Sequence, residues 1–241
     1  MAKATQSIYE DGTYLAAQPD WHCEDSPWKA AQAARMLRKH NVAFGSLADV
    51  GCGAGGVLDC LSREFPDARL AGFDVSPDAS SFWRAHQNRV EYRQADFLAL
   101  DERFDVLLLL DVFEHIEDYL GFLKRLSGRA EFFLFHIPLD ISLLGLLRGL
   151  PLRFRAEVGH LHYFWKESAL ATLKDGGYQV VDWAYTHHSE VLPQDKLLTK
   201  AVTFLRKALF RVSPDLSALI LGGFSMMVLA TPAAKSSAIK K

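Results

Sequence analysis

The chain has 241 residues and a formal net charge of −2, with 49% apolar and 23% charged residues. These proportions are ordinary for a globular protein with a full hydrophobic core. The near-neutral net charge excludes a positive electrostatic potential over the whole protein that would attract nucleic acid. The N-terminus is polar and mixed, without the pattern of a signal peptide, so we expect a cytoplasmic protein. The longest uncharged run, Leu216–Ala233, is broken by two glycines and predicts a short helix and a strand rather than a membrane span.

Residues 1–44 form an N-terminal extension that ends in a helix. Ser26 suits an N-cap and Pro27 the first helical position, so the pattern predicts a helix over Pro27–His40. The extension either covers apolar surface at the edge of a sheet or closes as a lid over a ligand. Trp21 and His22 are the side chains that separate these two interpretations.

The most informative stretch is residues 49–56, Asp-Val-Gly-Cys-Gly-Ala-Gly-Gly, between a predicted strand, Ser46–Val50, and a predicted helix, Gly55–Phe65. Four glycines in six residues let the backbone turn tightly and approach a ligand closely. A strand, a glycine loop and a helix N-terminus form the commonest nucleotide-binding turn of α/β proteins. The string alone is compatible with NAD, FAD or S-adenosylmethionine.

Three acidic residues follow the first three predicted strands. Asp49 precedes the first glycine, where its charge would repel a pyrophosphate but favour the sulfonium and ammonium groups of S-adenosylmethionine. Asp74 stands where an acidic side chain accepts hydrogen bonds from both ribose hydroxyls. Asp96 ends the third apolar run and is followed by Phe97. Together these acids favour S-adenosylmethionine over a dinucleotide.

Four stretches together resemble the class I S-adenosylmethionine-dependent methyltransferases. They are residues 49–56, Gly-Phe-Asp-Val-Ser at 72–76, Gln-Ala-Asp-Phe at 94–97, and Phe-Asp-Val-Leu-Leu-Leu-Leu-Asp-Val-Phe-Glu-His-Ile at 104–116. The last is similar to the fourth-strand motif of the small-molecule, quinone-biosynthesis branch, and the resemblance covers residues 45–232. It implies S-adenosyl-L-methionine as cofactor. The cofactor-binding residues it implies are Asp49, Gly51, Gly53, Asp74, Val75, Asp96, Phe97 and Asp111.

The rest of the chain alternates strands and helices, which predicts an α/β fold with a Rossmann-like, seven-stranded, mostly parallel sheet and helices on both faces. The resemblance places the last strand antiparallel between strands five and six. The other predicted strands are Arg69–Asp74, Val90–Ala95, Phe104–Leu110, Glu131–Ile137, Tyr178–Tyr185 and Phe224–Ala230, and the other predicted helices of the minimal fold are Asp78–His86, Asp118–Leu126 and Lys166–Asp175.

Two insertions interrupt the methyltransferase region of residues 45–232. Residues 139–158 are rich in leucine with interleaved arginines, and residues 194–221 contain a predicted helix, Lys196–Val212. This helix either docks with a solvated basic face or lies on a membrane surface near a lipid-linked substrate. The tail, residues 233–241, is expected to be disordered. The predicted apolar face holds Leu198, Ala201, Leu205, Ala208 and Val212, and the opposite face holds Lys196, Lys200, Thr203 and Lys207.

The candidate catalytic residues lie behind the fourth strand. Asp111 ends that strand beside the expected methyl group, and His115 is the best base candidate because an unperturbed histidine titrates near pH 6.5. In the resembling families the Glu-His pair also braces the loop or contacts the cofactor, so both roles stay open. His160 and His162 either orient a polar substrate group or bond the backbone. No acid or cysteine completes a metal site with them and His136, so no metal is predicted.

The resemblance implies in-line transfer of a methyl group to oxygen or carbon of a small molecule, or of the head group of a lipid or sugar carrier. The two insertions are predicted to shape an apolar entrance to the site, which predicts an acceptor with an apolar portion. If the helix Lys196–Val212 lies on a membrane surface, the contact with the membrane is peripheral. The absence of an Asn-Pro-Pro-Tyr motif and of a basic stripe disfavours nucleic acid. Two rival interpretations are a nicotinamide-dependent oxidoreductase and a non-catalytic cofactor-binding subunit.

Overall fold

The computed structural model describes residues 21, 23–83, 89–187 and 197–233, with the backbone alone for 197–201. His22, the tail residues 234–241, and the side chains of Leu198, Ala201 and Lys200 lie outside the described residues, so the predictions that concern them stay predictions.

Seven strands form a single sheet in the order β3-β2-β1-β4-β5-β7-β6. The pairs among β1 to β5 are parallel, whereas β7 runs antiparallel to both β5 and β6. The predicted sheet is therefore confirmed, including the last strand between strands five and six. The strands are β1 Ser46–Val50, β2 Arg69–Asp74, β3 Val90–Gln94, β4 Phe104–Leu110, β5 Ala130–Leu139, β6 Tyr178–Thr186 and β7 Phe224–Pro232.

The helices connect the strands and cover both faces of the sheet. The helices of the described residues are α1 Ser26–Lys39, α2 Gly56–Glu64, α3 Pro77–Ser80, α4 Tyr119–Leu126, α5 Leu143–Leu147, α6 Leu150–Glu157, α7 Lys166–Asp175, α8 Leu197–Val212 and α9 Pro214–Leu221.

Two apolar clusters occupy the two faces because successive side chains of a strand point to opposite sides. Leu107 of β4 packs in the cluster that contains Leu123 of α4, while Leu108 packs in the cluster that contains Leu37 of α1 and Leu58 of α2. β4 is thus buried on both sides, as its continuous apolar sequence predicts for a central parallel strand. The expected helices on both faces are confirmed.

The helix predicted over Asp78–His86 is wrong in length, because α3 ends at Ser80. The hydroxyls of Ser80 and Ser81 each donate to a main-chain carbonyl of the same turn at 2.7 Å. Such local side-chain bonds compete with the propagation of a helix. Trp83 then lies against the glycine loop, and residues 84–88 lie outside the described part of the chain.

Helix α8 docks with a different face from the one that the sequence predicts. On the predicted apolar face Leu205, Ala208 and Val212 are exposed, whereas Thr203, on the predicted solvated face, is half-buried. The contact with the sheet is made instead by Phe210, whose ring stacks on a phenylalanine of β7. A helical wheel weighs all apolar residues alike, but a large aromatic ring with a matching partner buries more surface.

Helix α5 contacts both α6 and α9, and α9 contacts α8; together these four helices form what we call the helical cap. Ten of the thirteen exposed large apolar side chains in the described ranges belong to this cap. None of the helices that can be described is both long and apolar enough to pass through a bilayer. The cap therefore carries an apolar surface without a spanning helix.

Candidate functional site

The carboxyl ends of β1 to β5 surround a cavity of about 760 Å³. Open parallel sheets bind their ligands at this edge, and the volume lies within the usual range of ligand sites. Every residue that the sequence predicts for the cofactor lines this cavity. These residues are Asp49, Gly51, Gly53, Asp74, Val75, Asp96, Phe97 and Asp111, and the candidate base His115 lines the cavity as well.

The glycine loop between β1 and α2 needs its glycines for conformation and for space. Gly51 and Gly55 have φ angles of 81° and 85°, which favour glycine. A Cβ atom on Gly55 would lie 2.7 Å from the hydroxyl of Tyr92. The N–H of Gly51 donates to the carbonyl of Phe73 at 2.8 Å. The loop is therefore held by a main-chain hydrogen bond to β2, and its glycines leave the backbone open to a ligand.

Asp74 ties the second strand to the glycine loop. Its Oδ2 accepts a hydrogen bond from the N–H of Gly53 and its Oδ1 accepts one from the N–H of Ser76, both at 2.8 Å. Burial raises the pKa of Asp74, and these two donors oppose the rise. The N–H of Val75 opposes the rise as well. A carboxylate has about four acceptor sites, so acceptor capacity remains for the predicted contact with a ribose.

Asp96, Phe97 and Val75 form the opposite wall. Asp96 accepts a hydrogen bond from the N–H of Leu98 at 2.9 Å, which fixes the turn after β3. Phe97 is buried with its ring centroid 5.0 Å from that of Phe73, and Val75 is exposed at the cavity mouth. The three residues offer an apolar wall with one carboxylate, which suits the predicted adenine site.

Asp49 is a buried carboxylate whose Oδ1 accepts no hydrogen bond from the described residues. Burial raises the pKa of Asp49 to about 7; the charge of Asp74 adds to the rise and Lys29 opposes it. An unpaired buried acid is unfavourable unless a positive group satisfies it. A cationic ligand such as S-adenosylmethionine would supply that group, so these residues fit the cofactor.

Asp111 is the centre of a partly buried chain of polar contacts. Its Oδ2 lies 2.7 Å from the Nζ of Lys29, and its Oδ1 lies 2.6 Å from the Nδ1 of His136. The Nε2 of His136 lies 2.9 Å from the hydroxyl of Thr186. Burial alone would raise the pKa of Asp111, but His136 and Lys29 lower it well below its usual range. Asp111 therefore stays ionised at the cavity wall.

Sequence reasoning missed Lys29 and used His136 for a metal hypothesis alone. Both leave a signal in the sequence. Lys29 stands four residues before Ala33 and eight before Leu37, on the buried face of α1. His136 is the one histidine within the apolar strand β5. A lone polar residue on a buried face needs a partner, and here the partner is Asp111.

His115 lies in the turn after β4, with its Nδ1 3.2 Å from the carbonyl of Gly159. Burial lowers the pKa of His115 to about 4, and the charge of His160 adds to this effect. A base with so low a pKa is a weak proton acceptor at neutral pH. His162 binds the carbonyl of Ile116 through its Nε2 at 2.9 Å, in agreement with the expected backbone contact.

The N-terminal helix reaches this site. Trp21, Trp28 and Lys29 line the cavity, and the ring of Trp21 lies over the glycine loop beside Gly53. Trp28 also contacts the ring of His136 edge-on. These contacts agree with the lid interpretation of the extension, which stays a prediction.

Residues 24–182 match the model of a family described as a methyltransferase domain. The chain belongs to this family. The predicted class, a methyltransferase, is confirmed by this match, and the family agrees with S-adenosylmethionine as the predicted cofactor. The comparisons do not support the oxidoreductase alternative.

Curated relatives match part of the chain. The chain is 40% identical over 84 residues to a ubiquinone biosynthesis O-methyltransferase of Azorhizobium caulinodans, which is 32% of each protein. It is 34% identical over 87 residues to a trans-aconitate 2-methyltransferase of Rhodopseudomonas palustris, or 35% of this chain and 34% of the relative. The chain thus matches about a third of the length of these relatives.

Solved structures share the fold. A plantazolicin methyltransferase in complex with a substrate analogue and S-adenosylhomocysteine has a TM-score of 0.61 and 16% identity, covering 95% of this chain and 93% of its own. The magnesium protoporphyrin IX methyltransferase of Synechocystis with bound S-adenosylhomocysteine has a TM-score of 0.61 and 14% identity, covering 95% and 99%. At these identities the likeness shows the fold alone.

Proposed function

We propose that this methyltransferase transfers its methyl group to an oxygen atom of a small acceptor that has an apolar portion and reaches the cavity from a membrane surface. One observation carries the proposal: helix α6 belongs to both regions. Phe154 of α6 and Val158, which directly follows it, line the cavity, whereas Leu152 of the same helix is 74% exposed on the cap. An acceptor that moves from a membrane bound at the cap into the cavity would therefore stay in contact with the same helix.

S-adenosylmethionine supplies an electrophilic methyl group on a sulfonium. The residues of this chain bind the cofactor and exclude water from it. Asp49 faces the cavity with an unsatisfied oxygen that suits a cationic group, and Asp74 retains acceptor sites for the ribose. Asp111 adds a fixed negative charge beside the expected position of the methyl group. A buried, oriented set of charges stabilises a cation more than solvent-exposed charges do.

The acceptor side of the cavity is built by α1, β5 and α6. Lys29 offers an ammonium group, whose three N–H donors are not all used by its pair with Asp111, and Trp28 and Phe154 offer aromatic surface. This combination suits a ring with a hydroxyl group and an apolar substituent. The names of the curated relatives, O-methyltransferases of ubiquinone biosynthesis, support oxygen as the attacked atom.

The surface of the helical cap supports the membrane part of the proposal. Leu147 is 77% exposed and Val212 is 84% exposed, far above what a buried helix interface would leave. Exposed apolar patches of this kind mark interaction sites. Exposed basic side chains occur in the same segments and would add about 1 kcal/mol each at an anionic membrane. The exposed basic residues of the cap are Arg148, Arg153, Arg155, Lys207 and Arg211.

Two assays test the chemistry. We expect S-adenosylhomocysteine, but not NADH, to raise the melting temperature, because the acids of the site oppose a pyrophosphate. With radiolabelled S-adenosylmethionine, a phenol that carries a long alkyl chain should be methylated with a higher kcat/KM than the same phenol without it. Equal kcat/KM values would exclude an apolar acceptor, and the absence of label in every phenol and cell-extract fraction would favour a non-catalytic subunit.

Vesicle co-sedimentation tests the membrane surface. We expect binding to anionic vesicles at low salt, weaker binding at high salt as the Debye length shortens, and little binding to neutral vesicles. The double variant Lys207→Glu/Arg211→Glu should lose this binding. The charge-matched control Lys124→Glu/Lys174→Glu changes exposed residues of α4 and α7, outside the cap, and should keep it. If wild type fails to sediment under all conditions, α8 and α9 are a docked cover only.

A further inference from the structure

His160 is a histidine on the acceptor side of the cavity. It lies in the loop after α6 and lines the cavity, and its ring centroid is 5.9 Å from that of Phe154, an aromatic side chain of the cavity wall. The side chain of His160 is only 12% exposed. Its Nε2 takes part in no hydrogen bond with the described residues. The ring is therefore largely enclosed by the protein and keeps one nitrogen for a ligand in the cavity.

The other nitrogen of His160 is paired with a carboxylate. Nδ1 lies 2.6 Å from the Oδ2 of Asp140, which directly follows β5 and also lines the cavity. Because a carboxylate accepts the Nδ1–H, the neutral ring carries its lone pair on Nε2. A carboxylate in this position fixes the tautomer of a catalytic histidine and stabilises the imidazolium that forms when the ring takes a proton. Asp140 and His160 form a dyad of this kind.

Main-chain hydrogen bonds fix the segment on both sides of His160. The N–H groups of the next two residues donate to the carbonyl of Glu114, at 2.8 and 3.1 Å. On the other side, the N–H of Gly159 donates to the carbonyl of Phe154 at 3.0 Å, and Gly159 has a φ of 79°, which favours glycine. The ring of His160 therefore has a defined position relative to the turn after β4, beside the expected position of the methyl group.

The titratable groups of that turn add no charge that opposes an imidazolium at His160. The ring of His115 packs edge-on against that of His160, with the centroids 4.9 Å apart, and burial lowers the pKa of His115 to about 4. Burial also raises the pKa of Glu114 well above its usual range. Both side chains are therefore mainly uncharged at neutral pH, which leaves the carboxylate of Asp140 as the charged neighbour of the ring.

The two histidines beside the cavity differ in their Nδ1 contacts. The Nδ1 of His115 lies 3.2 Å from the carbonyl of Gly159, whereas the Nδ1 of His160 lies 2.6 Å from a carboxylate oxygen. A negatively charged acceptor stabilises the protonated ring more than a neutral carbonyl does. This difference favours His160 over His115 as a proton acceptor at neutral pH.

We propose that His160, held by Asp140, is the general base that takes the proton of the acceptor hydroxyl. The inference rests on the proposed function, because it is the hydroxyl group of the acceptor that has a proton to lose. As the acceptor oxygen forms its bond to the methyl carbon, the bond between that carbon and sulfur breaks and its electron pair goes to sulfur. The hydroxyl proton goes to Nε2 of His160. The positive charge that began on sulfur thus ends on the imidazolium, which Asp140 stabilises.

The acidity of the acceptor tests this role. For methylation of a phenol with a long alkyl chain, we expect His160→Gln to lower kcat about a hundredfold, the effect of losing a general base. For the corresponding nitrophenol the loss should be less than about tenfold, because this acceptor ionises without a base. Equal losses with the two phenols would show a merely structural role and would overturn the proposal.

Asp140→Asn tests the positioning residue of the dyad. We expect this variant to lower kcat for the alkyl phenol about tenfold and to move the acidic limb of the pH profile to lower pH, because the imidazolium of His160 loses its carboxylate. An acidic limb at the wild-type pH would contradict the pairing of Asp140 with the base.

His162→Gln is the matched control, because His162 is two residues from His160 and its Nε2 bonds the carbonyl of Ile116 at 2.9 Å. We expect this variant to methylate both phenols like the wild type. Titration with S-adenosylhomocysteine shows that each variant is folded. If Asp140→Asn does not bind S-adenosylhomocysteine, His160→Gln decides.

A spectroscopic experiment needs binding alone and separates this inference from the proposed function. In the presence of saturating S-adenosylhomocysteine, at a pH where free 4-nitrophenol is mostly protonated, the wild type should bind this probe as the yellow phenolate. His160→Gln should bind it as the colourless phenol. If the wild type methylates no phenol, the proposed function fails, and the absorption of the bound probe still decides the base. A wild type that does not bind the probe as phenolate, or a phenolate that persists in His160→Gln, would overturn the assignment of His160.

Discussion

The cavity and the helical cap depart from the usual distribution of residues in opposite directions. Around the cavity, Asp49 is a buried acid whose Oδ1 accepts no hydrogen bond from the described residues, whereas on the cap Leu147 and Val212 are apolar side chains exposed to water. A buried acid and an exposed apolar patch are both unfavourable for a free chain. The comparison teaches that each region favours a binding partner: a cation in the cavity and an apolar surface at the cap.

The cavity and the cap also differ in how strongly their interaction free energies depend on exact geometry. In the cavity, Lys29 and His136 hold Asp111 in place through single contacts of 2.6 to 2.7 Å. Removing one of these partners leaves the charge of Asp111 poorly compensated in an environment of low polarity. On the cap the apolar effect is roughly proportional to area and has no direction. We therefore expect large effects from single substitutions in the cavity and small ones in the cap.

The largest effect is expected for Lys29→Met, which leaves Asp111 with His136 alone. The two side chains are 18% and 24% exposed, so losing one partner of this partly buried ion pair should lower the free energy of unfolding by about 2–3 kcal/mol in urea denaturation. Lys39→Met is the matched control on the same helix: Lys39 pairs with Asp182 at 2.6 Å but is 61% exposed. It should change stability by less than about 1 kcal/mol. Equal losses in the two variants would contradict the difference between buried and exposed pairs.

The next effect concerns Asp74→Ala, which removes a charged acceptor from the cofactor site. We expect calorimetry to show binding of S-adenosylmethionine weakened by about 1.5–3 kcal/mol, or roughly ten- to a hundredfold. Asp101→Ala, at a fully exposed carboxylate, serves as the control and should bind like the wild type. Unchanged affinity in Asp74→Ala would remove Asp74 from the site.

A moderate effect is expected from pH at Asp49. Its pKa of about 7 in the folded protein lies above its unfolded value, so the folded state holds this proton more tightly. The contribution of Asp49 to the free energy of unfolding therefore falls as pH rises from about 4 to about 7. In contrast, affinity for S-adenosylmethionine should rise about tenfold between pH 6 and pH 8, because only the ionised acid attracts the cation.

Asp49→Asn checks this prediction, because it keeps the shape of the side chain and removes its titration. We expect the affinity of this variant for S-adenosylmethionine to be nearly flat across the same pH range. A variant that keeps the tenfold rise would show that another group causes it.

The smallest effect on stability is expected on the cap. Leu147→Ser and Leu152→Ser should each change the free energy of unfolding by less than about 0.5 kcal/mol, because both side chains are already exposed. Each should nevertheless weaken sedimentation with anionic vesicles about tenfold, the effect of about 1.5 kcal/mol of lost apolar burial. Val181→Ser, at an exposed valine of β6, should leave vesicle binding unchanged. Equal vesicle binding by all three would exclude these leucines from a membrane contact.

The strand-and-loop part of the site was predictable from local sequence. The continuous apolar run of β4 and the glycines at 51, 53 and 55 determine a strand and a turn without reference to distant residues. Asp49, Asp74 and Asp111 then meet at one edge because parallel strands end together. Short-range periodicity and the geometry of a parallel sheet are enough for this result.

The partners of these residues depended on the tertiary structure. Lys29 meets Asp111 across eighty-two positions of the chain, and His136 meets Thr186 across fifty, separations that no local pattern encodes. The docked face of α8 was decided in the same way, by the fit of Phe210 against β7. Local sequence determines which side chains share a face or end a strand, but whether a buried charge is paired depends on which distant segments the fold packs together.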